Sequence, residues 1–295
     1  MNPIAIAPTH ASRRTRLISR TATNVLRRIL LFGGLAFFTV WTALPLYWII
    51  ATSVKTNAEI YSDASLFPRT LTGIHYDQLL NKTPFATYFK NSLMVSSLTA
   101  ASALVIGLLA AYAITRLNFR GRVVIARITI VTYLVPGSLL FIPLFQIAFQ
   151  LGLTNKAIGL PIIYLVGAVP FCTWLAISYF SVIPVEMEEA ALVDGANRLQ
   201  AMVYITLPLA LPAIAVIALY AFTNAWNEFL FALLLISSDS QKTIPAGLAG
   251  LINGDVFQWG GLMAGAVLAS IPPVLLYMLA QRWVVSGLAG GAIKG

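Results

Sequence analysis

The chain carries ten carboxylates, two histidines and one cysteine. Four of the carboxylates, Glu186, Glu188, Glu189 and Asp194, fall within nine residues, where Arg198 is the nearest cation. Pro184 suits the first turn of a helix, since its missing N–H costs nothing there. The glutamates that follow sit where the helix dipole favours anions. Ala190 and Ala191 then offer a small-residue face that lets another protein approach closely. An acidic segment of this kind suits pairing with basic groups on a protein. Anionic lipid surfaces attract basic segments instead.

Catalytic chemistry finds no such footing. His10 and His75 are far apart, and Cys172 lies in an apolar run where a small buried hydrophobe is the default reading. One cysteine forms no intrachain disulfide, and no zinc-type Cys/His spacing exists. No Ser/His/Asp or Cys/His constellation is readable. Lys55, Lys82 and Lys242 precede threonine but lack the Gly-rich approach of a P-loop. The chain is therefore expected to be no enzyme and to need no cofactor of its own. Any ATP would be bound by a partner subunit.

Local signals past the acidic helix define a compact loop. Gly195 is placed to end that helix in a left-handed conformation. Asn197 suits the N-cap of a second short helix, residues 198–206. Pro208 marks the turn into the next apolar stretch. The whole loop covers residues 183–208.

The elements that must hold this loop are apolar. The chain is 59% hydrophobic and 10% charged, with a mean hydropathy of +0.83. A soluble domain carries roughly 25% charged residues. Six apolar stretches, 29–53, 92–115, 123–149, 158–182, 209–236 and 259–283, each approach the ~20 residues needed to cross a bilayer. The expected fold is all-α, a polytopic membrane protein with six transmembrane helices. With the N-terminus inside, thirteen Lys and Arg residues fall on the cytoplasmic side and six outside, so both termini are expected in the cytoplasm. Position also explains the net charge of +9 without a nucleic-acid partner. Six basic residues precede the first stretch, and Arg116, Arg120, Arg122 and Arg127 sit in or beside one short loop. Ser12-Arg13-Arg14 resembles a twin-arginine signal, but no small-residue cleavage site follows, which favours an uncleaved first helix.

Proline interrupts the third stretch at Pro136-Gly137 and Pro143, the fourth at Pro161 and Pro170, the fifth at Pro212 and the sixth at Pro272-Pro273. Either kinked packing or hinges around a moving path would use them. Asn227 and Glu228 form a polar pair within the fifth stretch. An ionised group at membrane depth costs ~2.5–3.5 kcal/mol on insertion scales. The pair is open to a structural or a gating reading. The six tryptophans lie mostly near stretch ends, where interfacial anchoring is the default.

Glu189-Ala190-Ala191, three residues, Gly195, nine residues and Ile205-Thr206-Leu207-Pro208 together resemble the EAA loop of binding-protein-dependent ABC importer permeases. In that family the loop inserts into a cleft of the ATPase and transmits its closure to the membrane helices. The resemblance makes Glu189, Ala190, Ala191, Asp194, Gly195, Ile205, Leu207 and Pro208 the docking residues. The ending Ser286-Gly-Leu-Ala-Gly-Gly-Ala-Ile-Lys-Gly295 is similar to MalG-like permeases of carbohydrate importers, where the tail also reaches the ATPase dimer. Ala289 stands where the subgroup more often has Thr. This nominates Gly291, Lys294 and Gly295 as ATPase contacts. Thr243-Ile-Pro-Ala-Gly-Leu248 and Trp226-Asn-Glu228 match the subgroup too.

What the resemblance implies is a basic arm (1–28), a permease domain (29–283) and a cytoplasmic tail (284–295), in a bacterial cytoplasmic membrane with its lipid. Its partners would be a second homologous permease, two ABC ATPase subunits and an extracytoplasmic solute-binding protein that meets an outer loop near 237–258. The solute would be a di- or oligosaccharide. A glycerophosphodiester or uronic-acid oligomer is the alternative, and a stand-alone ion-coupled transporter or membrane enzyme would want more intramembrane ionisable residues. In the related maltose system one permease half carries most of the sugar site, so no sugar-contacting residue is nominated here.

Overall fold

A computed structural model describes residues 10–62, 65–253 and 256–292, with side chains placed between 27 and 283 except at 253, 256 and 257. The elements run in chain order as α1 (His10–Ser53), α2 (Asn57–Ser62), α3 (Ile74–Lys82), α4 (Phe85–Arg116), α5 (Arg122–Tyr133), α6 (Phe141–Gln150) and α7 (Leu160–Phe180). There follow α8 (Glu186–Val193), α9 (Arg198–Ala201), α10 (Leu207–Leu209), α11 (Leu211–Trp226), α12 (Leu230–Leu235), α13 (Ile244–Ala249) and α14 (Trp259–Ala292). A two-rung antiparallel ladder, β1 (Ile252–Asn253) with β2 (Val256–Phe257), lies between the last two. It adds a detail that hydropathy does not foresee to a helical fold.

Among the described residues four helices are long and apolar enough to cross a membrane: Arg27–Ser53, Phe85–Arg116, Ala157–Phe180 and Trp259–Trp283. Two sharply bent pairs raise the number to six if each is one span. The third expected stretch is one of them. Its helices α5 and α6 meet at 94° around Pro136, which has no N–H to continue the first helix. Pro143 falls in the first turn of α6, where it is tolerated. The fifth stretch is also interrupted. Its α11 ends at Trp226, and α12 begins only at Leu230.

The core is made by α4, α7 and α11, with α5 and α14 against it. Small residues recur every fourth position on the facing helices: Ala103, Gly107 and Ala111 on α4, and Ala168, Cys172 and Ala176 on α7. Such stripes let backbones approach where lipid offers no hydrophobic drive to pack. The approach is close enough that a Cβ on Gly107 would lie 3.0 Å from the Cys172 Cβ. Cys172 is buried, as expected of a packing residue. By contrast the apolar side chains of α1 from Ile29 to Trp41 are exposed, which is the state a lipid-facing or partner-facing helix requires.

Two residues that sequence reading treats as loop or interfacial groups are core. Lys55 is buried, its ammonium 4.8 Å from the Trp48 ring centroid and bonded to the Ser65 carbonyl, and its own carbonyl lies 2.8 Å from His75 Nε2. Trp226 is buried against Phe222, ring centroids 5.5 Å apart, and donates its indole N–H to the Ala269 carbonyl at 3.0 Å, which ties α11 to α14.

Candidate coupling site

The loop between α7 and α11 follows the local signals from Gly195 on, whereas Pro184 precedes the N-cap residue Val185 rather than lying in the first turn of α8. After Val193, Gly195 takes φ +92°, its N–H bonds to the Leu192 carbonyl at 3.1 Å, and the Ala196 N–H reaches back to the Ala191 carbonyl at 3.0 Å. Those two bonds satisfy the helix's last carbonyls in the pattern that favours glycine at this position. Asn197 then caps α9. Its side chain accepts the Gln200 N–H at 2.9 Å, and the Gln200 side chain accepts the Asn197 N–H at 2.8 Å. The second helix runs further than expected. It passes through a π-helical turn, Met202–Thr206, into α10, and the 83° turn into α11 falls at Ala210. Pro208 therefore lies within the helical segment rather than at the turn.

Helical phase splits α8 into two faces. Glu188, Ala191 and Leu192 point towards the spans, whereas Glu189, Ala190, Val193, Asp194 and Gly195 are exposed. Val193 is 87% exposed and Tyr204, on the next segment, 72%, beside exposed Leu199. Of the other expected docking residues Pro208 is exposed, while Ile205 and Leu207 are half-buried. The nominated residues thus do not form one surface: Ala191, Ile205 and Leu207 face partly inward.

The strongest feature of the loop is a group that the sequence reading passed over. Glu188 is 1% exposed and Arg116, the last residue of α4, 3%. Arg116 Nε donates to Glu188 Oε1 at 2.7 Å, and its Nη2 donates to the carbonyls of Phe180 at 3.0 Å and Ile183 at 2.9 Å. Thr206 Oγ1 donates to the same Glu188 oxygen. The Tyr112 hydroxyl lies 2.9 Å from Glu188 Oε2 and 3.1 Å from the Arg198 carbonyl. One guanidinium thereby fastens the ends of α4 and α7, the loop and α8 together. Burial alone would raise the Glu188 carboxyl. The hydrogen bonds from Arg116, Thr206 and Tyr112, with the Arg116 charge, outweigh it and hold the group below the usual carboxylate range. The local sequence carried no signal that could have singled it out: Glu188 and Glu189 lie four and three positions before Leu192, so both share a helix face with it.

Asn227 and Glu228 are not a bonded pair. Glu228 stands at the break between α11 and α12, where its two oxygens accept the N–H groups of Phe231 at 2.9 Å and Ala232 at 3.1 Å. Asn227 is exposed. Gly291 lies in the last turns of α14, and Lys294 and Gly295 lie outside the described residues.

The fold is thus a set of long and broken apolar helices with an acidic loop clamped to their ends. Residues 103–290 match the model of the family described as binding-protein-dependent transport system inner membrane component, and the chain belongs to that family. It is 39% identical to the inner membrane ABC transporter permease protein YcjP of Escherichia coli, over 93% of this chain and all of that one. It is 35% identical to the trehalose/maltose transport system permease protein MalG of Thermococcus litoralis, over 92% and 99% of the two chains. The fold matches a chain of a bacterial ABC transporter involved in import of the acidic polysaccharide alginate, with TM-score 0.74 at 22% identity, covering 95% of this chain and 100% of that one. The chain is thus a multi-pass, MalG-like permease of the cytoplasmic membrane rather than an enzyme.

Proposed function

We propose that this chain forms half of the translocation path of a sugar importer and receives force from a separate ATPase through residues 183–208. Six spans with both termini in the cytoplasm would place the loop beside that ATPase. A second, related permease would complete the path, two ATPase subunits would bind ATP below, and a solute-binding protein would deliver sugar from outside. One observation carries the coupling role: the outward face of α8 is exposed while its inward face is locked to α4 and α7 through Glu188 and Arg116. A helix held this way moves with the spans as a rigid lever, which is what converts ATPase closure into a change of access.

The sugar assignment is supported by relatives named for trehalose/maltose and, at 32% identity, diacetylchitobiose uptake. An acidic solute is the second reading, since the alginate importer shares the fold. The test is purification of the tagged chain in mild detergent with mass spectrometry of what accompanies it. An ABC ATPase and a second permease are the expected companions. A chain that stays alone after crosslinking in the membrane would overturn the assignment. Gly195→Pro and Glu189→Lys should then each abolish solute uptake while the complex still assembles.

A further inference from the structure

The break in the third span opens onto a cavity of about 230 Å³. Its wall is formed by residues of α5, α6, α7, α11 and α12, and it lies at the middle of the 123–149 stretch. Lipid cannot satisfy the backbone released by a 94° break, so such a break persists where it faces protein or a polar cavity. The lining supplies polar groups at this depth: Tyr133, Tyr164, Tyr220, Asn224 and Glu228, with Phe231 beside them. Phe171 stacks against Tyr220, centroids 3.8 Å apart, and lies 5.1 Å from Tyr133, which sets an aromatic row along one side.

Two of these groups have capacity to spare. The Tyr164 hydroxyl is buried with its proton directed to the Glu228 carboxylate, so its own lone pairs are what it keeps free. Glu228 gives one lone pair of each oxygen to the α12 backbone, and with Tyr164 as a further donor it keeps one more. Hydroxyls, an amide, a carboxylate and aromatic faces are the set that recognises polyhydroxy compounds through hydrogen bonds and C–H contacts. The charge is one-sided. None of the fourteen lining residues is Lys or Arg, and Glu228 is the sole carboxylate among them. The nearest cation along α5, Arg127, lies about 9 Å below Tyr133 and roughly 120° around the helix. Inside low-dielectric walls one carboxylate repels an anion far more strongly than in water.

We propose that this cavity is the part of the solute path contributed by this chain, and that it admits neutral polyhydroxy solutes while turning away anionic ones. The inference rests on the permease reading above and decides between its two solute classes.

The test uses the intact complex in nanodiscs, with Cys172→Ala to remove the native thiol and Asn224→Cys to report from the cavity. Three methanethiosulfonates are compared, one carrying a neutral glucosyl group, one a trimethylammonium and one a sulfonate. Each rate is divided by that for free cysteine, with the complex nucleotide-free or trapped with ATP and vanadate. The glucosyl reagent should modify the introduced thiol readily in at least one state, with the sulfonate at least tenfold slower, and Glu228→Gln should bring the two within about twofold. Equal glucosyl and sulfonate rates, or no modification in either state, would overturn the inference. Co-purification of the ATPase and ATP hydrolysis are measured first on the same sample. Their absence would instead count against the permease reading.

Discussion

Removing the Arg116 side chain should loosen the coupling helix without unfolding the spans. Arg116→Ala deletes one ion-pair contact and two bonds to carbonyls, and leaves Glu188 buried with only Thr206 and Tyr112 as donors. Taking one partner from a buried pair costs about 3–5 kcal/mol, because the other charge stays uncompensated. Since ~1.4 kcal/mol is a factor of ten, the docked loop loses roughly two to three and a half powers of ten in population against undocked forms. Glu188 then either protonates or leaves its site, and α8 leaves with it. Arg116→Lys should recover part of the loss, because an ammonium reaches one acceptor but not the three that the guanidinium fork spans.

The assay is hydrogen exchange on peptides covering 186–196 in the assembled complex, together with solute moved per ATP hydrolysed. Arg116→Ala should raise exchange at least tenfold and lower the transport ratio in parallel. The paired variant Arg116→Met with Glu188→Leu removes both charges and should cost less than Arg116→Ala alone. Exchange within twofold of the parent in Arg116→Ala, or strict additivity in the pair, would refute the clamp as the source of rigidity.

Because Glu188 titrates below the ordinary carboxylate range, its contribution is complete above the unfolded value near ~4.3 and is lost only as pH falls through the lower folded value. Intrinsic-rate-corrected exchange of the loop should therefore stay flat from pH 5 to 8 and rise only below about 4. Gly195→Ala forces a Cβ into a left-handed backbone at φ +92°, which costs ~1–2 kcal/mol and should lower coupling without abolishing it. Between α3 and α14, a Cβ on Gly260 would meet the His75 ring at 2.2 Å, so Gly260→Ala should reduce the melting temperature of the complex and adding His75→Ala should restore part of it.

Helix positions were legible where composition forces them, and joints were legible where backbone chemistry does. Gly195 and Asn197 announce a stop and a cap because few other residues perform those tasks. Pro136 marks the break in the third span, but a proline in a membrane helix is compatible with anything from a mild kink to the observed 94°. Which carboxylate turns inward was hidden because Glu186, Glu188 and Glu189 are equivalent until the partner on α4, 72 positions away from Glu188, is in place. Arg116 reads as one of a cluster of orientation-setting arginines for the same reason. Lys55 likewise counts as a loop cation until tertiary structure buries it beneath Trp48.

The distribution of buried charge follows from what the spans can and cannot hold. Along α4 and α7 the contacts are small and apolar, so these helices can approach closely and slide or tilt with few strong bonds to break. A lever made only of such contacts would transmit little. Acidic and basic side chains are instead found where directions change. Arg116 with Glu188 stands at the joint of α4, α7 and α8, and Glu228 stands at the joint of α11 and α12. At the first joint the Arg116 guanidinium bonds Glu188 and the carbonyls of Phe180 and Ile183, which fixes an angle rather than merely a distance, and at the second Glu228 accepts two consecutive N–H groups in the first turn of α12. The first joint faces the loop that a motor would push, and the second faces the cavity that a solute would cross. If α8 is where a motor pushes, rigid joints at the two ends of an apolar, close-packed helix bundle would carry that push to the path without its being absorbed between them.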